Sequence, residues 1–262
     1  MRPHPGVATQ AVAAPPPLVM DEAEWTARIE LAAFYRLVDW LGWTELVFNH
    51  ISLRVPGTRD QFLINPYGLW YDEVTASNLV KVDARGCAVD AGTARVNPAG
   101  FVIHAAVHAA RADAHCIIHT HTTTGCAVAA KKDGLRHDNF YSAGLKGKVA
   151  YHAFEGITST LDEQPRLVHS LGPHSLMILR NHGLLALGPS VAAAFRNCWR
   201  LQRACDIQAA SDAMAGDSLP VPDTVLEHTG ERIAAFQAAG DADQMVFDAC
   251  LRRARIRRAD LA

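Results

Sequence analysis

The sequence predicts one α/β domain built on a mixed or largely antiparallel sheet. Three observations carry this expectation. Short apolar or alternating runs follow one another across brief turns, which favours antiparallel pairing. Segments with helical period are interleaved with them, without the regular rhythm of a βαβ protein. The 262 residues are 49% hydrophobic and 20% charged, enough for one substantial core and too apolar for wholesale disorder.

The elements follow in order. Asp21 is a helix cap with Glu22 and Glu24 in the first turn, and Trp25, Ile29, Ala32, Ala33, Leu37, Trp40 and Leu41 keep helical spacing up to Gly42. Trp25, Tyr35, Trp40 and Trp43 are therefore expected in the core. Ile51 to Val55 alternates as a strand and turns at Pro56-Gly57. Phe62 to Ile64 and Leu79 to Val82 are further strands, the first ended by Asn65-Pro66. Pro98 opens a helix running to about Ala112, a favoured place for proline. Cys116 to His119 is a short apolar strand, and Gly125 to Ala130 a short helix. Val149 to Tyr151 is a strand, Thr160 to Leu171 a helix, and Leu176 to Leu179 a buried strand followed after one turn by Leu184 to Leu187. A long amphipathic helix runs from Val191 to about Ala215, and two helical stretches follow Pro220 and Pro222. The expected organisation is a disordered tail over 1–19, a main domain over 20–215 and a helical extension over 216–262.

Composition excludes several classes of function. With 25 basic and 27 acidic residues the net charge is −2, so charge gives no case for binding nucleic acid or a membrane. No run approaches 18 apolar residues, so no transmembrane helix is expected. Residues 1–19 lack the continuous apolar stretch of a signal peptide. None of the six cysteines forms a C-x-x-C pair, so they are read as reduced and structural in a cytoplasmic protein. Five arginines in Arg252–Arg258 are read as a solvated helix end or subunit contact. There is no G-x-G-x-x-G and no Walker A sequence.

Thirteen histidines remain to be sorted. His119 and His121 end an apolar strand at i and i+2, so both imidazoles point to one side and can converge on one metal ion. His182, in the turn Asn181-His182-Gly183, is the candidate third ligand, with Gly183 read as allowing unusual dihedrals. Three histidines with an open position is the pattern of a catalytic divalent site, zinc foremost, with Mn2+ or Fe2+ as alternatives. Partly buried histidines bonded to backbone are the competing reading. His104 and His108 are a rival pair, four apart on a helix but without the Glu of H-E-x-x-H. One of them is expected to face the site and the other to be a surface or helix-packing residue. His50, His115, His137, His152, His169, His174 and His228 have no partner at ligand spacing.

Three blocks now stand in order: Phe48-Asn49-His50-Ile51-Ser52 with Ile64-Asn65-Pro66-Tyr67-Gly68, then Cys116-Ile117-Ile118-His119-Thr120-His121, then Leu179-Arg180-Asn181-His182-Gly183-Leu184. Over roughly residues 25–215 the chain resembles the class II aldolase/adducin family, the group that includes L-fuculose-1-phosphate aldolase. The resemblance implies a three-layer α/β/α sandwich around a mostly antiparallel central sheet. It implies a divalent metal on His119, His121 and His182, and homo-oligomers, tetramers foremost, with active sites between subunits. It also makes Asn49, Tyr67 and Gly68 candidate substrate-binding residues and Tyr141 a candidate catalytic acid.

The departures bear on function. The catalytic Glu of the sugar-phosphate aldolases is replaced by Gly100, and their phosphate-binding hydroxyls by Phe48, Tyr67 and Pro98-Ala99. A small, non-phosphorylated carbonyl or carboxylic acid is therefore the expected substrate. The family's chemistry implies a metal-stabilised enolate, reached by aldol cleavage or decarboxylation. Without the Glu, His104 or Tyr141 is left to move protons, and Arg180 is a candidate for holding a substrate carboxylate. The expected function is a metal-dependent carbon–carbon lyase. An Fe(II)-dependent oxygenase on the same fold is one alternative. A non-catalytic oligomerisation module is the other, although adducin head domains lack the full histidine set that this chain keeps.

Overall fold

Asp21 accepts the Glu24 N–H at 2.7 Å and starts helix α1 (Glu22–Trp40), which stops at Gly42 with φ +70°. These residues belong to a computed structural model that describes residues 20–89, 95–156, 161–238 and 241–262. The tail expected over 1–19 lies outside them. Three strands follow: β1 (His50–Arg54), β2 (Gln61–Ile64) and β3 (Val80–Asp83). Then come α2 (Pro98–Ala110), β4 (Cys116–Thr120), α3 (Thr123–Ala129), α4 (Phe140–Ala143) and β5 (Val149–His152). The chain continues with α5 (Gln164–Leu171), β6 (Leu176–Leu179), β7 (Gly183–Gly188), α6 (Val191–Asp212), α7 (Asp223–Ala238) and α8 (Ala242–Ala254). The four-residue α4 had no periodic signal in the sequence.

Among the described residues the strands form one seven-stranded sheet in the order β3-β2-β1-β4-β7-β6-β5. Every neighbouring pair is antiparallel except β5 with β6, which are parallel and joined through α5. Side-chain alternation divides the core in two. Ile51, Leu53, Cys116, Ile118, Leu184 and Ala186 face one side and pack with α1, α6 and α8. Ile117, Leu185 and Leu187 face the other and pack with Ile103 and Val107 of α2 and Leu167 and Leu171 of α5. The result is the helix–sheet–helix sandwich expected above.

Two expectations about packing change. Trp40 is 49% exposed and Trp25 only half-buried; the buried positions on that part of α1 are Glu24 and Arg28. The two are neutralised in place. Arg28 Nε donates to Glu24 Oε1 at 2.9 Å and Nη1 to the Leu79 carbonyl at 2.7 Å, while Lys81 Nζ lies 2.9 Å from Glu24 Oε2. A buried charge is tolerated only with such partners. The C-terminal segment also does more than extend the domain. Phe247 packs edge-on against Phe34 and Phe195, with centroids 6.1 and 5.6 Å away, and Leu251 and Leu261 join the same core. Arg258 pairs with Glu30 of α1 and with Asp248, so one arginine of the basic tail is a structural tie. All six cysteines are free thiols, with Cys198 and Cys205 buried along α6.

Tyr35 links this frame to the strand that carries the site. Its hydroxyl accepts the Ile51 N–H at 2.8 Å and donates to Asn65 Oδ1 at 2.9 Å, and its ring meets that of Tyr71 at 4.6 Å. Removing the hydroxyl leaves the Ile51 N–H and the Asn65 amide buried without this partner. Tyr35→Phe is therefore expected to destabilise the protein by about 1–3 kcal/mol, read as a lower urea midpoint with an unchanged slope.

Candidate metal centre

His119, one residue before the end of β4, is paired with both neighbours, opposite His50 of β1 and Leu185 of β7. Its Nδ1 lies 2.8 Å from the Leu184 carbonyl, so Nδ1 carries the proton and the Nε2 lone pair faces outward. His121 follows two residues later, and the Nε2 atoms of the two rings are 2.8 Å apart. His182 comes from the β6–β7 turn, with Nε2 3.3 Å from that of His119. The ligand atoms of all three lie within 4.8 Å of one another. The backbone-bonded reading holds only for His119 Nδ1; the Nε2 atoms turn toward one another.

The turn that presents His182 is tightly held. Its N–H bonds the Leu179 carbonyl at 3.1 Å, Asn181 N–H bonds Ala129 O at 3.1 Å, and Cys126 Sγ donates to the His182 carbonyl at 3.0 Å. The left-handed residue is Asn181, at φ +53°, which asparagine tolerates. Gly183, expected to supply that freedom, has another role. A Cβ there would lie 2.4 Å from the Thr120 carbonyl and 2.9 Å from His121 Cδ2. Its missing side chain lets the turn close onto the end of β4.

Burial sets the protonation states. It lowers the pKa of His119 well below the usual range, aided by His121 and His182. It lowers His121 to about 4, again with His182 contributing, and lowers His182 against an opposing effect of Glu163. Neutral imidazoles are the form that binds a metal. Converging lone pairs from three rings repel one another unless a proton or a cation lies between them, so this donor set fits a divalent ion.

A second polar cluster lies beside the triad, on the α2 side of the sheet. His50 is 2% exposed, and its ring centroid is 4.1 Å from His104 and 6.0 Å from His119. Neither of its ring nitrogens meets a well-aligned hydrogen-bond partner among the described residues, and the Gly100 backbone is the group that acts on the ring as an acceptor. Ser52 Oγ lies 2.6 Å from His104 Nδ1 and 2.8 Å from His108 Nε2, and His108 Nδ1 bonds Ala114 O at 2.7 Å. Both helix histidines are therefore buried, and neither is at the surface. His50 has no partner at ligand spacing along the chain because its neighbours come from another strand and a helix. The alternation His50-Ile51-Ser52-Leu53 was the available signal, since it puts two polar groups on one face of a central strand.

A family model for the class II aldolase and adducin N-terminal domain matches residues 29–209. The chain belongs to the class II aldolase and adducin family. A class 2 aldolase protein of Caulobacter vibrioides is 43% identical over 235 residues, covering 89% of this chain and 91% of the relative. Rat alpha-adducin is 48% identical over 202 residues, covering 76% of this chain but 27% of the adducin. The fold of an aldolase II superfamily protein from Pseudomonas syringae superposes with a TM-score of 0.85 at 44% identity, over 90% of this chain and 94% of the other. L-fuculose 1-phosphate aldolase from Glaciozyma antarctica PI12 follows with 0.77 at 28%, over 91% and 94%.

Against the family pattern, the structure explains the glycine at position 100. A Cβ on Gly100 would lie 2.2 Å from His50 Cε1 and 2.4 Å from Nδ1. The His50 imidazole fills the space that a side chain at 100 would need. Asn49, beside it, is 5% exposed, has φ +66°, and leaves both amide atoms unpartnered.

Other expected site residues stand elsewhere. Tyr141, on α4, packs edge-on against Trp199 at 5.5 Å, under the Arg203 guanidinium, and lines a cavity that includes no triad histidine. Within one chain it is not brought to the triad. Arg180 donates Nη1 to the Lys131 carbonyl at 2.7 Å and lies 4.2 Å over the Tyr151 ring, so it braces the turn. Tyr67 and Trp70 are 46% and 43% exposed, and Tyr67 adjoins Phe48 at 6.4 Å. Gly68, at φ +100°, is the conformationally special residue of that turn. Tyr71, which follows, is buried in the core. Phe154, which no sequence pattern singled out, is 6.1 Å from His182.

Gly100→Ala is expected to destabilise the fold by about 1–3 kcal/mol through overpacking on His50. In the His50→Ala background the penalty should largely vanish; additive effects in a double-mutant cycle would contradict the contact. A pH effect follows from the same cluster. Burial lowers His50 to about 4 and His108 to about 3. Unfolded, both titrate near 6.5, so below that pH the unfolded chain binds more protons and stability falls with pH until the folded values are reached. Metal-free protein should melt at a clearly lower temperature at about pH 5 than at about pH 7; equal melts would show that these rings are not buried in neutral form.

Proposed function

We propose that this chain is a divalent-metal-dependent carbon–carbon lyase, aldolase- or decarboxylase-like, acting on a small non-phosphorylated carbonyl or carboxylic acid. The observation that carries the reading is the convergence of His119, His121 and His182, with His119 oriented by the Leu184 carbonyl. A divalent ion held there, zinc foremost, supplies Lewis-acid stabilisation of the negative charge that develops on a substrate oxygen as a neighbouring C–C bond breaks.

The chain's own residues complete the site. The Asn49 amide, buried with both atoms unpartnered, can donate to and accept from a substrate oxygen and its neighbour. His50 lies beside His119 with no side-chain hydrogen-bond partner on its ring and is the group best placed to hold or pass a proton where Gly100 leaves no carboxylate. His104 lies behind His50 and is anchored on Ser52, so it acts through His50 and not on substrate. Exposed Phe48 and Tyr67 put aromatic surface where the sugar-phosphate aldolases are expected to bind phosphate, which supports a substrate without that group. The expected assembly is a homo-oligomer, with a tetramer favoured, and only there would Tyr141 of one copy meet the triad of another.

The likeness to alpha-adducin favours a second reading, a non-catalytic association module. Metal separates the two. Purified protein should hold about one divalent ion per chain. His119→Ala and His182→Ala should lose it and fall by at least about 100-fold in release of aldehyde or carbon dioxide from small 2-keto or hydroxy acids. Wild-type protein that binds no divalent ion would overturn the lyase. Fe(II)-dependent oxygen uptake would replace it with the oxygenase.

A further inference from the structure

The β5 edge of the sheet carries a buried polar relay that the triad itself does not use. His152, 3% exposed, ends β5 opposite Leu179 of β6, and its carbonyl accepts the Arg180 N–H at 2.8 Å. It therefore stands at the root of the turn that presents His182. It shares the sheet face of Ala150 and Leu185, which is also the face of His119. Its Nε2 lies 3.1 Å from Glu163 Oε1 and its Nδ1 3.0 Å from Ser170 Oγ. A carboxylate can only accept, so Nε2 carries a proton and donates it to Glu163, while Ser170 anchors the other side of the ring.

Two further contacts fix which carboxylate this is and where it stands. Glu155, the other acid near His152 Nε2 at 3.9 Å, is engaged by Arg166 Nε at 2.9 Å. Gln164, next in the chain after Glu163, donates Nε2 to the Val102 carbonyl of α2 at 2.9 Å and pins the start of α5. The side chain of Glu163 is only 12% exposed, and its charge is felt at His182.

His182 is the triad member that lacks a built support. The Leu184 carbonyl orients His119, but Nδ1 of His182 makes no hydrogen bond among the described residues. Phe154, from the segment that follows β5, covers the His182 ring at 6.1 Å. Three neutral imidazoles bring no negative charge to a divalent ion. Groups outside the ligand set then orient the ligands and offset the charge. The glycine at 100 supplies no carboxylate, and the relay brings one from the opposite edge of the site.

We propose that Glu163 is a positioning residue of the metal centre. Its carboxylate, held by His152 and Ser170, supplies the outer negative charge that favours a divalent cation on the triad and steadies His182. This inference rests on the metal-centre reading of the triad.

Zinc affinity of the full chain, measured by competition with a chromophoric chelator, tests it. Glu163→Gln should weaken zinc by at least about tenfold while still saturating at the wild-type number of ions. Glu163→Asp, which keeps the charge, should recover most of the loss. His152→Phe should weaken zinc in the same direction, and should add no further loss in the Glu163→Gln background. It also carries the test if Glu163→Gln fails to fold. A merely structural tie would instead lower the melting temperature of the metal-free protein and leave the zinc affinity of the folded variant unchanged. Unchanged affinity in Glu163→Gln, or equal losses in the Gln and Asp variants, would overturn the role of Glu163 and leave the triad reading standing. Wild-type protein that binds no zinc, or that binds it equally well after His182→Ala, would overturn the triad reading and this inference with it.

Discussion

The pairing of β4 with β7 is the constraint on which the site depends. It sets Thr120 opposite Leu184 and His119 opposite Leu185, and so brings the Leu184 carbonyl to His119 Nδ1. The same pairing carries the β6–β7 turn over the end of β4, where His182 meets His119 and His121. That closure needs position 183 to lack a side chain, because any Cβ would run into the Thr120 carbonyl. One register and one glycine thus convert two separate histidine motifs into a single donor set. A slip of one residue would turn His119 to the opposite face of the sheet.

The sheet's two faces have different chemistry for the same reason. Toward α1, α6 and α8 the central strands present Ile51, Leu53, Cys116, Ile118 and Leu184. Toward α2 they present His50, Ser52 and His119 beside apolar neighbours. Buried polar side chains, partly partnered to one another and partly unpartnered, set that face apart from the apolar one. Ser52 links His104 to His108, and the Asn49 amide next to the triad keeps unmet hydrogen-bonding capacity.

The chain sits between two kinds of relative. It shares 48% identity with an alpha-adducin over part of that protein and superposes on an L-fuculose 1-phosphate aldolase at 28% identity. The glycine at 100 is not a simple deletion of an acid, because His50 occupies the vacated space. Glycine at one position and histidine at the other form one packing unit.

Much of this is legible in the sequence alone. Strand alternation, the cap at Asp21 and the proline at the start of α2 depend only on neighbouring residues, and those elements lie where local chemistry puts them. The His119/His121 pair was legible for the same reason, since i and i+2 on a strand always share a face. The buried Glu24–Arg28 pair was not, because its partners Leu79 and Lys81 arrive from a distant strand. What only the tertiary structure decided is everything set by register and close approach. Asn181 and not Gly183 takes the left-handed conformation, Arg180 is tied to Lys131 and Tyr151, Tyr141 stands away from the triad of its own chain, and His50 lies beside that triad. Spacing along a chain specifies which side of its own element a residue faces. Which other element it then meets depends on non-local pairing and on where a missing Cβ lets two backbones touch.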